Sequence, residues 1–433
     1  MPLPEQTLPT PDTLASWVED ARRRTRALIA DLNDEQLLGP PLPTVNPLLW
    51  EVGHIAWFQE KWVLRHACGR PPLRPEVDAL YDSAAVAHDT RWDLALPSRE
   101  QSLRYLAGVE ERILERVAER PGADEVYFIL LSIFHEDMHT EAFTCTRQTL
   151  GYPAPHLPGG EVAAPAREDV SCSGDVQVAG GTFRLGAEPG GGFVFDNEKW
   201  AHPVGLKPFA IARTSVTQAE FAAFVEDDGY GRASLWGAEG WAWREQEGAR
   251  HPVYWRRERG GWQRRDFDRW VPLEPHRPVV HVNWYEAEAY CRWAGRRLPT
   301  EAEWEAAASQ VAGSSRKLRH PWGDGAATPD RANLDGTALG CVGVADLPAG
   351  DSPCGCRQMT GNVWEWTADP FLPYPGFVAD PYKEYSAPWF GDHKVLRGGC
   401  WATRGRLLRN TWRNFYRPDR RDVFAGFRTC PAS

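Results

Sequence analysis

Residues 124–153 read DEVYFILLSIFHEDMHTEAFTCTRQTLGYP. Their apolar residues recur at helical spacing, and the run ends at Gly151 and Pro153, as helices do. His135 and His139 are four apart, so both imidazoles face one way, on the side that carries Phe128, Leu131 and Phe143. That face points into a core, where unpaired imidazoles are costly. They are either core histidines bonded to neighbours or two metal ligands. The stretch also contains H-E-x-x-H, the pattern of zinc peptidases. A peptidase needs a further ligand, and Glu161 lies at a suitable distance. It falls in HLPGGEVAAP, a Pro/Gly run, not on a second helix.

Working outward, three more segments predict helices. TLASWVEDARRRTRALIADL (13–32) sets Leu14, Trp17, Val18, Ala21, Leu28, Ile29 and Leu32 on one face. NPLLWEVGHIAWFQEKWVLRHACG (46–69) offers Asn46 as N-cap, Pro47 at the first helical position and Gly69 as a stop. SREQSLRYLAGVEERILERVAERPG (98–122) opens with Ser98 and Gln101 at capping-box spacing. Four such helices predict a four-helix bundle. Bundles assemble metal sites from inward side chains of facing helices. His54, mid-helix on a face with Trp57, Phe58 and Trp62, is the best third ligand. Three neutral nitrogens with open positions suit a catalytic ion; zinc, copper or iron all fit.

Residues 151–175 are rich in Pro, Gly and Ala and read as a linker. Beyond it Gly, Trp and Arg are dense and helical periodicity is sparse. VTQAEFAAFVEDDG (216–229), NWYEAEAYCRWAG (283–295) and TEAEWEAAASQ (300–310) predict short helices, the last with a Thr300/Glu303 capping box. The rest alternates short apolar runs with turn residues, as in a loop-rich α+β domain. The expected division is a bundle over 1–155, a linker over 156–174 and a second domain over 175–433.

Bulk properties bound the function. The chain has 433 residues, 42% hydrophobic and 25% charged, with a net charge of -10. There is no long Lys/Arg block and no apolar run of the roughly 20 residues that span a bilayer. These exclude a nucleic-acid partner and a membrane partner. The N-terminus is Pro-rich and acidic without a signal pattern, which predicts a cytoplasmic protein. Nine cysteines fit reduced thiols better than a disulfide framework. Cys354 and Cys356 read as a loop feature, since no second pair completes a metal site. The 21 tryptophans suit sugars, cations and rigid cores alike.

GHIAWFQEKWVLR (53–65) with HEDMHTEAF (135–143) resembles the DinB-like helical domain of ergothioneine-type sulfoxide synthases. VAGGTFRLG (178–186), the 277–308 stretch, GNVWEWTAD (361–369), KVLRGGCWAT (394–403) and NFYRPDRRDVFAGFR (414–428) resemble the formylglycine-generating-enzyme domain, a C-type-lectin-like fold. The resemblance implies an O2-dependent enzyme with mononuclear non-haem Fe(II) on His54, His135 and His139, acting on hercynine to join a chalcogen to C2 of its imidazole. It also implies that Glu136 points away from the ligands. By resemblance Tyr382, in DPYKEYSAPWF (380–390), is the candidate proton donor. Tyr385, Asn414 and Phe415 match positions near the hercynine pocket. Arg91, Arg417 and Arg420 are candidate contacts for the chalcogen donor. Met138 and Tyr416 stand where this sequence departs from the familiar pattern, and LYDSAAVAHDTRWDLALPSRE (80–100) departs with them. These departures resemble the selenoneine synthase branch, whose donor is a selenosugar. A thiol donor, γ-glutamylcysteine or cysteine, is the alternative. RANLDG (331–336) offers oxygen ligands for Ca(II) in the C-terminal domain.

Overall fold

The structure is a computed structural model describing residues 8–160, 172–314 and 316–432. Most of the expected linker, 156–174, and Glu161 lie outside the described residues. The chain divides into two compact units, Met1–Pro158 and Gly159–Ser433.

In the first unit, α1 (Pro11–Ile29), α3 (Leu48–Gln59), α5 (Arg99–Ala118) and α6 (Ala123–Leu150) are the long helices. Short helices α2 (Asp34–Leu38) and α4 (Val77–Tyr81) join them. α1 packs on α5 and α6, and α3 packs on the same two, so the four long helices form a bundle. The predicted stripe on α1 is its buried face: Leu14, Val18, Ala21, Leu28 and Ile29 all lie in the core. Thr10, not predicted, caps α1 by accepting from Thr13 N. α5 has the expected Ser98/Gln101 capping box.

The expected cap of α3 is corrected by one residue. Pro47 is the N-cap and makes no side-chain cap bond. Asn46 instead donates to Glu51 Oε1 at 2.9 Å and accepts from Arg91 at 2.6 Å. α3 continues as a π-helical segment, Glu60–Ala67, before Gly69 turns the chain at φ +66°. Glu60 is buried there and accepts from Tyr105 Oη at 2.6 Å and Leu73 N at 2.9 Å. Wide turns of this kind recur at functional sites.

The second unit is loop-rich. Its elements are β1 (Asp175–Val178), β2 (Gly181–Leu185), β3 (His202–Leu206), β4 (Phe209–Ala212), α7 (Gln218–Glu226), α8 (Ala238–Glu247), β5 (Trp255–Glu258), β6 (Gly261–Asp266), β7 (Arg269–Pro272), α9 (Trp284–Trp293), β8 (Arg296–Arg297), α10 (Glu301–Ser309), β9 (Trp364–Pro370), β10 (Lys394–Arg397), β11 (Asn414–Tyr416), β12 (Ala425–Gly426) and β13 (Cys430–Pro431). One sheet runs β11-β10-β9-β12, antiparallel except for β12 on β9. β5-β6-β7 form a meander, and β1-β4, β2-β3 and β8-β13 pair off. α8 and the meander were not foreseen. α10 has the Thr300/Glu303 capping box. It lies over a core of Val176, Val178, Phe209, Ile211 and Met359. Buried ion pairs tie the layers together. Arg397 reaches Glu301 at 2.8 Å and Glu305 at 2.5 Å, and Arg428 reaches Glu365 at 2.6 Å.

All nine cysteines are free. Among the described residues, no helix is long and apolar enough to cross a membrane.

Candidate metal centre

α3 and α6 bring three imidazoles to the middle of the bundle. One ring nitrogen from each of His54, His135 and His139 lies within 4.8 Å of the others. His135 and His139 meet because one helical turn separates them, their ring centroids 4.5 Å apart. His54 joins from the facing helix, 5.1 Å and 5.0 Å from the two.

Aromatic rings fix the orientation. Trp50 stacks on His54 with centroids 4.8 Å apart, and Phe58 stacks on His135 at 3.5 Å. Trp50, His54 and Phe58 are spaced by one turn each, so one face of α3 carries the whole stack. His54 Nδ1 lies 2.8 Å from the carbonyl of Tyr81. A carbonyl only accepts, so Nδ1 carries the proton and Nε2 is left as a ligand. Gly53 makes room for that contact. A Cβ there would stand 2.2 Å from the Tyr81 ring.

The donor set fits a metal ion. Burial pushes His54 and His135 well below the ordinary imidazole range, and the neighbouring His139 adds to the effect. Both are therefore neutral, as ligands must be. His139 Nδ1 is buried and has no hydrogen bond among the described residues; Glu51 Oε1 is 3.6 Å away. Glu51 is itself buried at 2% exposure. This carboxylate was missed in the sequence, although it precedes His54 by one turn. Carboxylates behind ligating imidazoles orient the ring and raise its basicity.

Glu136, the middle of H-E-x-x-H, is turned toward α1. It accepts from Thr25 Oγ1 at 2.7 Å and lies 3.5 Å from Arg22. A peptidase would need that carboxylate beside the metal; here it is a buried strut.

Arg91 belongs to this surround. It is buried, lies 3.9 Å over the Trp50 ring, and its Nε has no hydrogen-bond partner among the described residues. Met138 is half-buried on α6.

The other candidate residues lie in the second unit. Lys199 holds Asp380 at 2.6 Å, and Ser386 donates to the buried Asp196 at 2.5 Å, which pins the segment between them. Tyr382 and Tyr385 sit on it, ring centroids 6.3 Å apart. Tyr385 stacks on Phe195 at 4.3 Å and accepts from Trp412 Nε1 at 3.3 Å; burial drives its phenol upward. Phe415 lies 5.9 Å from Tyr385 and stacks on Phe371 at 4.0 Å. Asn414 Oδ1 accepts the Phe415 N–H at 2.8 Å. Tyr382, Tyr385 and Phe415 thus form one aromatic group. Arg420 is not free to bind a donor. It clasps Asp422 with two bonds of 2.6 Å and covers the Tyr416 ring at 5.1 Å. Arg417 is exposed near Asp392 and Asp419. In RANLDG, Asp335 pairs with Arg404 at 2.8 Å and takes the Gly405 N–H at 3.1 Å. Asn333 turns its amide nitrogen to Gly340 O and Asn362. Asp335 is engaged within the fold, while Asn333 Oδ1 is buried with no hydrogen bond among the described residues.

The family models divide the chain as the fold does. The DinB superfamily model matches residues 18–142, and the sulfatase-modifying factor enzyme 1-like domain matches 161–432. Hercynine oxygenase of Mycolicibacterium thermoresistibile is 39% identical over 96% of this chain and 94% of its own. This chain belongs to the hercynine oxygenase family, the ergothioneine-type sulfoxide synthases. The hercynine oxygenase of Mycobacterium tuberculosis is 38% identical over 97% of this chain and 98% of its own. The formylglycine-generating enzyme of Streptomyces coelicolor is 33% identical, but it covers 61% of this chain. The hercynine oxygenases thus match nearly the whole of this chain and the formylglycine-generating enzyme a smaller share of it. As a member of the hercynine oxygenase family the chain is an oxygenase enzyme.

Proposed function

We propose that this chain uses iron(II) and O2 to join sulfur to C2 of the hercynine imidazole, with γ-glutamylcysteine or cysteine as donor. The observation that carries this reading is the three-imidazole cluster of His54, His135 and His139, inside a chain similar to hercynine oxygenases over nearly its whole length. When bound, iron(II) supplies the one-electron chemistry that O2 requires. Three neutral ligands leave its charge uncompensated, which favours a donor that arrives as a thiolate. In this reading Arg91, desolvated and with an unused N–H, grips a donor carboxylate. The face of Phe415 or Tyr385 meets the trimethylammonium group, Asn414 and Met138 border the substrate, and Tyr382 delivers a proton. Arg417 and Tyr416 face the donor, and Arg420 joins them only by releasing Asp422.

A selenosugar is the competing donor, and one observation favours it. In residues 80–100, Asp82 is engaged by Lys61, His88 by the Val45 carbonyl and Trp92 by the Gly39 carbonyl. Arg91 is the buried cation of that segment, whereas γ-glutamylcysteine brings two carboxylates. A sugar selenol brings none. The relatives similar over nearly the whole chain are hercynine oxygenases of the ergothioneine-type sulfoxide synthase family, so the thiol reading stands first.

The test is a competition. Protein loaded with iron without air receives hercynine, then air, with the thiols and a selenosugar in equal amount. Mass spectrometry is expected to find a hercynine sulfoxide. A selenium-bearing product in its place transfers the assignment to the selenosugar, and no hercynine product of either kind rejects both.

A further inference from the structure

The segment Cys354-Gly355-Cys356 takes no part in the chemistry above. It sits in a tight loop of the second unit. Ser352 N donates to Cys356 O at 2.9 Å, and Gly355 N donates to Ser352 O at 2.8 Å. Ser352 Oγ accepts from Cys356 N at 3.2 Å. Gly355 has φ +92°, a conformation that L residues rarely adopt. Glycine here lets the chain reverse so that both side chains emerge on one side. The two sulfurs are 3.7 Å apart.

Their environments differ. Cys356 is fully buried at 0% exposure, in the core with Val176, Ile211, Trp304 and Ala307. Cys354 is half-buried and packs against the outside of that core. Cys354, its Sγ 3.2 Å from the Ala307 carbonyl, is the less buried thiol and Cys356 the more buried one, the order of an attacking and a resolving cysteine. Chemistry follows the same order. The hydrogen bond with Cys356 brings the Cys354 thiol down to about 6, with the Ser352 hydroxyl and Arg428 helping. Cys356 is driven well up by that same bond and by burial. Arg428 cannot drift away, because Glu365 and the Arg357 carbonyl hold it.

We infer that Cys354 and Cys356 form a redox-active dithiol that exchanges with low-molecular-weight disulfides. The Cys354 thiolate attacks one sulfur of a small disulfide, breaks its S–S bond and releases one thiolate. The resulting mixed disulfide is opened when Cys356 loses its proton and its sulfur attacks Cys354, expelling the second thiolate. One small disulfide becomes two thiols, and the protein dithiol becomes a disulfide; its two hydrogens end on the released thiols. Closing a ring through a single intervening residue strains the product, and strained disulfides are readily reduced. The pair therefore cycles rather than acting as a permanent staple.

The experiment uses the full-length, iron-loaded protein without air. It is equilibrated with glutathione buffers of rising disulfide content, quenched by alkylation and mapped by mass spectrometry. A Cys354–Cys356 disulfide is expected at ratios that leave the other seven of the nine cysteines reduced, and dithiothreitol should reverse it. Cys356→Ser should trap glutathione on Cys354; Cys356→Ala, which keeps an apolar group in the core, gives the same readout should the serine variant misfold. Cys354→Ser should leave Cys356 unmodified. A pair that stays reduced throughout, oxidation scattered over other cysteines, or protection by a thiophilic metal ion without S–S formation would each overturn the inference.

Discussion

The bond from His54 to the Tyr81 carbonyl settles which nitrogen of that ring a metal meets, and Glu51 stands ready to do the same for His139. Glu51→Gln keeps the shape and the bond from Asn46 but removes the charge behind His139. Outer carboxylates of this kind are worth about 10- to 100-fold in metal affinity. The variant is expected to bind iron(II) more weakly by roughly tenfold, read by competition with a chelator, while His139→Ala loses the metal altogether. Equal affinity in wild type and Glu51→Gln would reduce Glu51 to a packing residue. Tyr382 makes a second case at this scale. Tyr382 is half-buried beside Tyr385, and in the proposed reading it delivers a proton. Tyr382→Phe should slow turnover by about 100-fold, the lower end for general acids, or divert the product, with hercynine binding intact by calorimetry. An unchanged product profile removes the acid role.

At the scale of elements, α4 is the part that sets the Tyr81 carbonyl over His54. Its anchor is Asp78, which takes two bonds from Arg65 at 2.6 Å and 2.8 Å and one from Trp57 Nε1 at 2.6 Å. The Arg65 bond leads in holding the Asp78 carboxyl at about 2, against an ordinary 3.8. The folded state thus prefers the charged form. Its stabilisation is complete above about pH 4 and drains away as pH falls toward 2. With its side chain 51% exposed, solvent screening keeps the effect modest. Wild type should therefore melt above Asp78→Asn at neutral pH, and the gap should narrow below pH 4; a gap independent of pH there would deny the charge its part. α1 and α5 were legible because each buries a stripe at helical period, α3 and α6, buried on nearly every side, because of their length and the turn residues that end them, and the Ser98 and Thr300 caps because their partners sit three residues on. α8 was not legible for the converse reason. Gly240 is its one buried residue, so the segment carries no apolar stripe to read. The β5-β6-β7 meander likewise mixes Arg and Trp without a period-two pattern and buries little.

For the whole molecule, the candidate site was legible in proportion to how local its parts are. His135 and His139 declare themselves by one turn of one helix. His54 requires the further step that α3 faces α6, which a bundle supplies. The Tyr81 carbonyl is a backbone atom on a short helix, and no side-chain pattern announces it. The second unit's candidates, from Tyr382 to Arg420, rest on resemblance, because aromatic residues in long loops serve as packing as readily as chemistry. This division has a consequence that can be measured. All three imidazoles, Glu51 and the Tyr81 carbonyl belong to Met1–Pro158, which has its own core where α1 and α3 each pack on α5 and α6. A chain ending at Pro158 is expected to keep its helical circular dichroism and bind about one iron(II), with affinity within a few-fold of the full chain, since ligand set and outer carboxylate are intact. On the proposed reading it should show no turnover of hercynine, because Tyr382, Tyr385 and Phe415 are gone. A folded fragment that fails to hold iron would mean that the second unit supplies part of the metal site. Turnover by the fragment would instead strip the second unit's aromatic group of its assigned role and leave the bundle as the whole of the catalyst.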